Sequence, residues 1–333
     1  MRFAFDPTPL LQRRRNRKNG FALVTVIWGI ALITLLVVSY ASAARLRLQM
    51  AFNLAQATQA DFIADAAIGQ GVLSLLSESQ QKGAAPALGN ASAGQVERLV
   101  HDGKPKFCFL NDSAVAISIE DENGKVDLNA APQKLLQTLL TGLGLSAREA
   151  DAAAAGVVAF RSIEGAPEAP QIDASDKPFG LKHAPFQAIT ETDQVPGVSP
   201  LLLKRLSSLV TVHSRSPGVD PKATPPALFA LLVGQPPEEV HALLARPFPN
   251  ALDRSDPRFP REFLGPGLGR VFLVHVEVVL ATGQTSVREA LLDLRGAVGE
   301  AFAIRELRRA SARYLSTLRG SAKDLRSASS GCA

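Results

Sequence analysis

A mainly apolar stretch runs from Phe21 to Ala44, and no charged residue occurs between Lys18 and Arg45. That stretch is longer than the roughly 20 residues a helix needs to cross a bilayer. The helical pattern then continues. Leu46, Met50, Leu54, Ala57, Phe62 and Leu73 keep near-helical spacing, while Arg45, Arg47, Gln49, Asn53, Gln56, Gln59, Asp61 and Asp65 supply a polar side. No proline interrupts the chain between Pro9 and Pro86. A single helix is predicted from Phe21 to Leu76, on the order of 80 Å long at 1.5 Å per residue.

Further along the period changes to 2. Residues 106–121 contain two β-type runs, the second alternating Val115, Ile117 and Ile119 against Ala116, Ser118 and Glu120. A turn is predicted at Asp121-Glu122-Asn123-Gly124, followed by a helix from Leu135 to Thr141, with Asn129 as its cap and Pro132 in its first turn. Residues 132–212 read as helices around short turns at 141–146 and 195–200. The β pattern returns at Val271 to Leu280 and Ser286 to Leu294, flanking Ala281-Thr282-Gly283-Gln284 as a hairpin. Gly, Pro and small residues make loops of Lys82 to Ala93 and Pro247 to Pro266. An internal echo pairs Val126-Asp127, Ala130, Pro132, Leu135 and Leu139 with Val219-Asp220, Ala223, Pro225, Leu228 and Leu232. Repeated helix-start chemistry explains it as well as duplication does.

Charge then orients the chain. The formal net charge is +5, and Arg13, Arg14, Arg15, Arg17 and Lys18, all ahead of the apolar run, account for that excess. The remainder is nearly neutral. The positive-inside bias keeps those residues in the cytoplasm and places everything after Ala44 across the membrane, in the periplasm of a two-membrane bacterium. Ala41-Ser42-Ala43 has the small-x-small form of a secretory cleavage site, but a cleaved signal carries only ~7–15 apolar residues before it.

The other end of the apolar run is more informative. A short basic leader ending at Gly20, with Phe21 opening a long helix, resembles the processing site of type IV prepilins and pseudopilins. The fifth position after Gly20, usually Glu in such proteins, is Thr25 here, which removes a carboxylate that would need a partner amine at membrane depth. Locally, Thr25 is also a residue that back-bonds to the preceding helical turn. The segment Asp121-Glu122-Asn123-Gly124-Lys125-Val126-Asp127-Leu128-Asn129-Ala130-Ala131-Pro132 is similar to the signature of the K-type minor pseudopilins of type II secretion systems (general secretion pathway protein K). The resemblance covers about Arg13 to Arg295.

That resemblance implies an α+β, pilin-like fold with a long N-terminal transmembrane helix, a small antiparallel sheet and a large inserted helical domain of SAM or helix-hairpin-helix type. The expected division is a leader at 1–20 and a helix at 21–76, membrane-spanning over about 21–44. A pilin-like β part at 77–126 and 241–296 is expected around an inserted domain at 127–240, with a basic tail at 297–333. It further implies cleavage between Gly20 and Phe21 by a prepilin peptidase, methylation of the Phe21 amine, and a single-pass inner-membrane protein with a periplasmic head. Expected partners are the I- and J-type minor pseudopilins, the major pseudopilin and the inner-membrane assembly platform. The implied role is at the pseudopilus tip in protein export; the alternative is a minor subunit of a DNA-uptake or adhesion pilus.

Other chemistries find less support. The histidines, His101, His183, His213, His241 and His275, are scattered, and no nucleophile elbow, zinc box or phosphate loop accompanies them, so no enzyme is expected. Gly265-Pro266-Gly267-Leu268-Gly269 reads as a flexible lead into the next strand. Pro196-Gly197-Val198 resembles a helix-hairpin-helix turn, but Lys204 and Arg205 are too few for binding that leans on several phosphate contacts. The family's acid-rich calcium stretch matches Ala159-Phe160-Arg161-Ser162-Ile163-Glu164, where two of three acids are missing. Glu164, Glu168, Asp173, Asp176, Glu191 and Asp193 remain as acids that could contribute to a calcium site, but their spacing is that of a solvated loop, so no metal ligand is assigned and no cofactor is expected, with calcium as the alternative. Cys108 and Cys332 specify neither a disulfide framework nor a thiolate site, and their pairing is open. The stretch from Ala297 onward, rich in arginine, reads as a solvated end or a surface for membrane or partner.

Overall fold

The computed structural model describes residues 19–83, 101–163, 181–244, 257–267, 269–295, 300–327 and 332. Most of the loops expected at 82–93 and 247–266, and Glu164, Glu168, Asp173 and Asp176, lie outside them. The chain divides into two compact units, residues 1–55 and 56–333.

The first unit contains the beginning of helix α1 (Asn19–Gly83). Its large apolar side chains are exposed, from Phe21 at 78% to Leu54 at 69%. Thr25, Thr34 and Ser42 donate their hydroxyls to the carbonyls of Ala22, Ile30 and Ser39 at 2.9, 2.7 and 2.8 Å. The helix thereby satisfies these three hydroxyls within its own backbone, as lipid surroundings would require. By length and composition this region is able to cross a membrane.

In the second unit five antiparallel strands stand in the order β1 (Lys106–Leu110), β2 (Ser113–Asp121), β5 (Val271–Val279), β6 (Thr285–Asp293) and β7 (Ala303–Arg309). Asn111 and Asp112, with φ of 48° and 60°, make the tight β1–β2 turn, since both central residues of such a hairpin must be left-handed. The inner face is apolar: Val115, Ile117, Ile119, Val274, Val276, Val278, Ala290 and Leu292 pack on Ala60, Ile63, Ala64, Ala67, Ile68, Val72 and Leu75 of α1. The helical stripe differs from the expected one. Phe62 and Leu73 are 70% and 67% exposed, and the buried side alternates Ala60, Ala64 and Ala67, which let the helix approach the sheet closely, with Ile63, Ile68, Val72 and Leu75.

The connection from β2 to β5 forms the second core. It holds β3 (Val126–Asp127), α2 (Gln133–Gly142), α3 (Ala147–Arg161), α4 (Pro200–Leu206), β4 (Val210–Thr211), α5 (Pro226–Leu232) and α6 (Pro237–Leu244) around one apolar cluster running from Val126 to Phe263. β3 and β4 pair in parallel. Ser146 and Glu149 form a reciprocal capping box at α3. α2 begins two residues before the expected Leu135: Pro132 is the cap residue, without side-chain help, and Asn129 reaches elsewhere. Pro225 caps α5 in the same way, so the internal echo corresponds to two proline-led helix starts.

The stretch after Ala297 corrects the expectation of a solvated end. β7 completes the sheet, α7 (Leu315–Ser327) packs Leu318 against the outer face, and Cys332 is bonded to Cys108. Period-2 reading missed β7 because Arg305 is an unpaired bulge residue between Ile304, opposite Leu292, and Glu306, opposite Leu291. Its arginines read as solvated although they face carboxylates on neighbouring elements.

Ile119 is fully buried between the sheet and α1. Ile119→Ala is expected to lower the unfolding free energy of the detergent-solubilised chain by about 2–5 kcal/mol, measured by urea denaturation.

Candidate functional site

Gly20 and Phe21 lie at the start of α1, one and two residues after Asn19. The basic leader that precedes them is outside the described residues. Thr25 makes the local bond to Ala22, so its hydroxyl is engaged within the helix.

The signature segment 121–132 forms the neck through which the chain leaves and re-enters the sheet. Asp121 and Phe272 are register partners. Asp121 Oδ1 accepts the Asn123 amide at 2.9 Å, its Oδ2 accepts the Gly269 amide at 2.7 Å, and Asn123 Nδ2 donates to the Gly267 carbonyl at 3.0 Å. The glycines expected to be a flexible lead are therefore tied down. A Cβ on Gly269 would lie 2.3 Å from Asp121 Oδ1, and one on Gly124 would lie 2.4 Å from the Ala223 carbonyl oxygen. Asp127 is fully buried and accepts from the amides of Asn129, Ala130 and Arg215 at 2.7, 3.1 and 2.7 Å and from Ser214 Oγ at 3.0 Å. It thereby holds Arg215 at φ 59°, a conformation costly for a side chain of that size. Asn129 donates to the carbonyls of Phe186 and Val212 and accepts the Phe186 amide at 2.7 Å. The polar signature residues stitch the insertion together and to the sheet.

Arg161, in the stretch matched to the family's calcium-holding acids, instead donates to the carbonyls of Leu128 and Ala131, both at 2.7 Å. Glu191 is paired with Lys182 at 2.9 Å. At the Pro196-Gly197 turn Gly197 has φ 80°, but Arg205 donates to the Leu143 carbonyl.

The outer face of the sheet carries buried ionic groups. Lys125 is 2.8 Å from both Glu120 and Glu122. Glu120 also meets Arg313, which lies 2.9 Å from Glu289. His275 has both ring nitrogens on carboxylates, Nδ1 to Glu289 and Nε2 to Glu277, each at 2.9 Å. Glu277 accepts the Tyr314 amide at 2.9 Å, and Arg308 approaches Glu289 at 3.1 Å. On β5 His275 and Glu277 lie on the face opposite Val274, Val276 and Val278. What sequence reasoning missed is the cover, because residues 308–318 come from the other side of the hairpin.

These surroundings set the protonation states. Burial opposes the charge on His275, but its bonds to Glu277 and Glu289 outweigh that and raise its pKa. Burial likewise opposes ionisation of Glu289 and Asp293, yet His275 and Arg313 hold Glu289 at about 2, and Arg295 and Arg305 hold Asp293 at about 2. Lys125 and Arg313 overcome burial to keep Glu120 well below the usual carboxylate range. Asp121 has no such cation, and burial pushes it up to about 6 despite its two amide donors.

The long apolar N-terminal helix, small antiparallel sheet and further helices define the protein as pilin-like α+β. A solved structure shares this fold: a chain from the crystal structure of the GspK-GspI-GspJ complex of the enterotoxigenic Escherichia coli type 2 secretion system. It superposes with a TM-score of 0.51 at 16% identity, over 80% of this chain and 100% of that chain. No family model and no curated protein matches the sequence.

Lys125→Met would take the cation from buried Glu122 and leave Glu120 with Arg313 alone, and it is expected to cost about 3–5 kcal/mol by urea denaturation. The pH dependence has a definite sign. The depressed carboxyls Glu120, Glu289 and Asp293 stabilise the fold above their unfolded values near 4, and that contribution is lost as pH falls toward about 2. The raised groups act oppositely: stability associated with Asp121 is lost as pH rises through about 6, and that of His275 as pH rises above its unfolded value near 6.5. Denaturation midpoints are expected to rise from pH 2 to about 4 and to fall at higher pH, and His275→Gln should flatten the decline above about 6.5.

Proposed function

We propose that this chain is a K-type minor pseudopilin of a type II secretion system, a structural subunit that acts by protein–protein contact at or near the pseudopilus tip. The observation that carries this reading is the placement of one large helical insertion between two adjacent strands, β2 and β5, of a pilin-like sheet. The likeness to a chain of the GspK-GspI-GspJ complex supports it. The signature segment adds a second, local argument, since its polar residues form the neck that such an insertion requires.

In this reading Phe21 to about Ala44 is the inner-membrane anchor, the leader is removed between Gly20 and Phe21 on the cytoplasmic side, and the new amine is methylated. The head lies in the periplasm. A bond between Cys108 and Cys332 fits that compartment, because disulfides persist where the surroundings are oxidising. Thr25 places no demand on the amine of a neighbouring subunit, and a head enlarged by the insertion is ill suited to burial among further subunits. Both features suit a terminal position. The I- and J-type minor pseudopilins are the partners expected at that end, with the major pseudopilin and the assembly platform below. No metal or cofactor is required for this role.

Two measurements test the proposal. N-terminal analysis of membrane-extracted protein is expected to begin at Phe21; a chain beginning at Ala44 would mean a cleaved secretory signal and a soluble protein. Deletion of the chain in its host is expected to abolish export of secreted enzymes, with periplasmic accumulation. Intact export together with lost DNA uptake or surface attachment would assign it to another pilus.

A further inference from the structure

β5 and β6 bring three ionisable residues together on the outer face of the sheet. His275 and Glu277 are fully buried, and Glu289 is buried beside them. Each ring nitrogen of His275 lies 2.9 Å from a carboxylate oxygen, Nδ1 from Glu289 Oε1 and Nε2 from Glu277 Oε1. Two ionised carboxylates are both satisfied only when both nitrogens donate, which requires the imidazolium. The geometry therefore defines the charged form of the ring.

The same two oxygens hold the segment that covers the ring. Glu277 Oε1 also accepts the main-chain amides of Arg313 and Tyr314, the second at 2.9 Å, and Glu289 Oε1 accepts Arg313 Nη2 at 2.9 Å. Tyr314 stands edge-on to the imidazole, with ring centroids 5.6 Å apart. The other polar groups on this side are Ser118, the register partner of His275 on β2, Glu120, which meets Arg313 and Lys125, and Arg308 of β7, 3.1 Å from Glu289. Loss of the ring proton leaves one nitrogen with a lone pair aimed at an anionic oxygen. If Nε2 is the bare nitrogen, Glu277 is repelled and its bonds to the amides of Arg313 and Tyr314 loosen. If Nδ1 is, Glu289 is repelled and its hold on the Arg313 guanidinium loosens. Both tautomers release the same residue.

We propose that His275 is a proton-operated catch: protonated, it clamps Arg313 and Tyr314 onto the sheet through Glu277 and Glu289, and deprotonated, it lets residues 312–314 lift while the strands beneath stay paired. Burial opposes the charge on the ring, but the bonds to Glu277 and Glu289 outweigh it and raise the pKa. The catch therefore stays closed through the ordinary histidine value of 6.5 and opens at higher pH. Ala312, Arg313 and Tyr314 line a cleft of about 910 Å³ that Ile189, Leu203 and Lys204 of the insertion also line. Opening the catch reshapes the surface shared by the sheet and the insertion.

Hydrogen–deuterium exchange on the full chain in detergent, followed from about pH 6 to about pH 9 and corrected for the intrinsic pH dependence of amide exchange, tests the catch. The amides of Arg313 and Tyr314 are expected to lose protection about tenfold per pH unit once His275 deprotonates, because one proton leaves with each opening, while 271–279 and 285–293 keep theirs. His275→Gln donates from one nitrogen only, and should leave those two amides weakly protected at every pH with no pH-dependent step. Unchanged protection of Arg313 and Tyr314 across this range in the wild type, a pH step retained in His275→Gln, or loss of protection by the strands together with the cover would each overturn the proposal. Should His275→Gln fail to fold, the pH series on the unaltered protein still decides: an NMR titration of the His275 ring must coincide with the opening, and an opening at a pH where the ring does not titrate overturns the catch.

Discussion

The packing of α1 on the inner face of the sheet is the contact on which the rest of the second unit depends. Ala60, Ala64 and Ala67 are fully buried, and Gly71 comes so close that a Cβ there would lie 3.1 Å from Val274 Cγ1. Such close approach needs a sheet face that is apolar at every second position, which β2 and β5 supply; β6 adds Ala290 and Leu292, while its Ser286 and Arg288 on the same face bond to Asp61 and Asp65 of α1. Period 2 then leaves no freedom on the other side. His275, Glu277, Glu289, Ser118 and Glu120 must all face outward together. A face with that many ionisable groups is stable either in water or under a cover of matching charge, and the terminal residues Arg308 and Arg313 provide the cover. The basic excess of the C-terminal stretch is the counterpart of acids chosen for it elsewhere in the chain.

Placing the insertion between β2 and β5 solves a different problem. Because those strands are hydrogen-bonded neighbours, the insertion leaves and returns at nearly the same point, and the sheet is not interrupted. A junction of this kind would be loose if its polar groups were left to water. Asp121, Asn123, Asp127 and Asn129 close it with bonds to backbone, and Gly124, Gly218, Gly265 and Gly269 give the backbones room to approach. A Cβ on Gly218 would meet the Gly265 amide nitrogen at 2.6 Å. The segment that identifies the resemblance is thus conspicuous for a mechanical reason: it carries the polar groups that join two cores.

For the proposed role, this construction means that the insertion and the sheet share one neck with dense hydrogen bonding. A subunit that works by contact has to present its surfaces in a fixed relation. The buried ionic cluster adds to that, since charges removed from water tolerate little displacement before a partner is lost.

What could be read from the chain alone was whatever depends on neighbours in sequence. A long uncharged, mainly apolar run marked the N-terminal helix, alternation marked β2, β-type runs marked β5 and β6, and Asn, Asp, Gly and Pro marked the turns, because each is a local consequence of helical or strand geometry. The position of Gly20, Phe21 and Thr25 at the start of the long helix was legible for the same reason; their roles in cleavage and assembly belong to the proposed function. What only the tertiary structure decided was pairing at a distance. Which side of α1 is buried depended on the sheet it meets, and the large residues Phe62 and Leu73 misled where Ile63, Ile68, Val72 and Leu75 and the alanines between them carried the contact. Asn129 left its expected capping role for Phe186 and Val212, residues far along the chain. β7, the cover over His275, and the union of Cys108 with Cys332 across 224 residues have no local signal, because charge and sulfur acquire their roles from the partner that folding brings alongside.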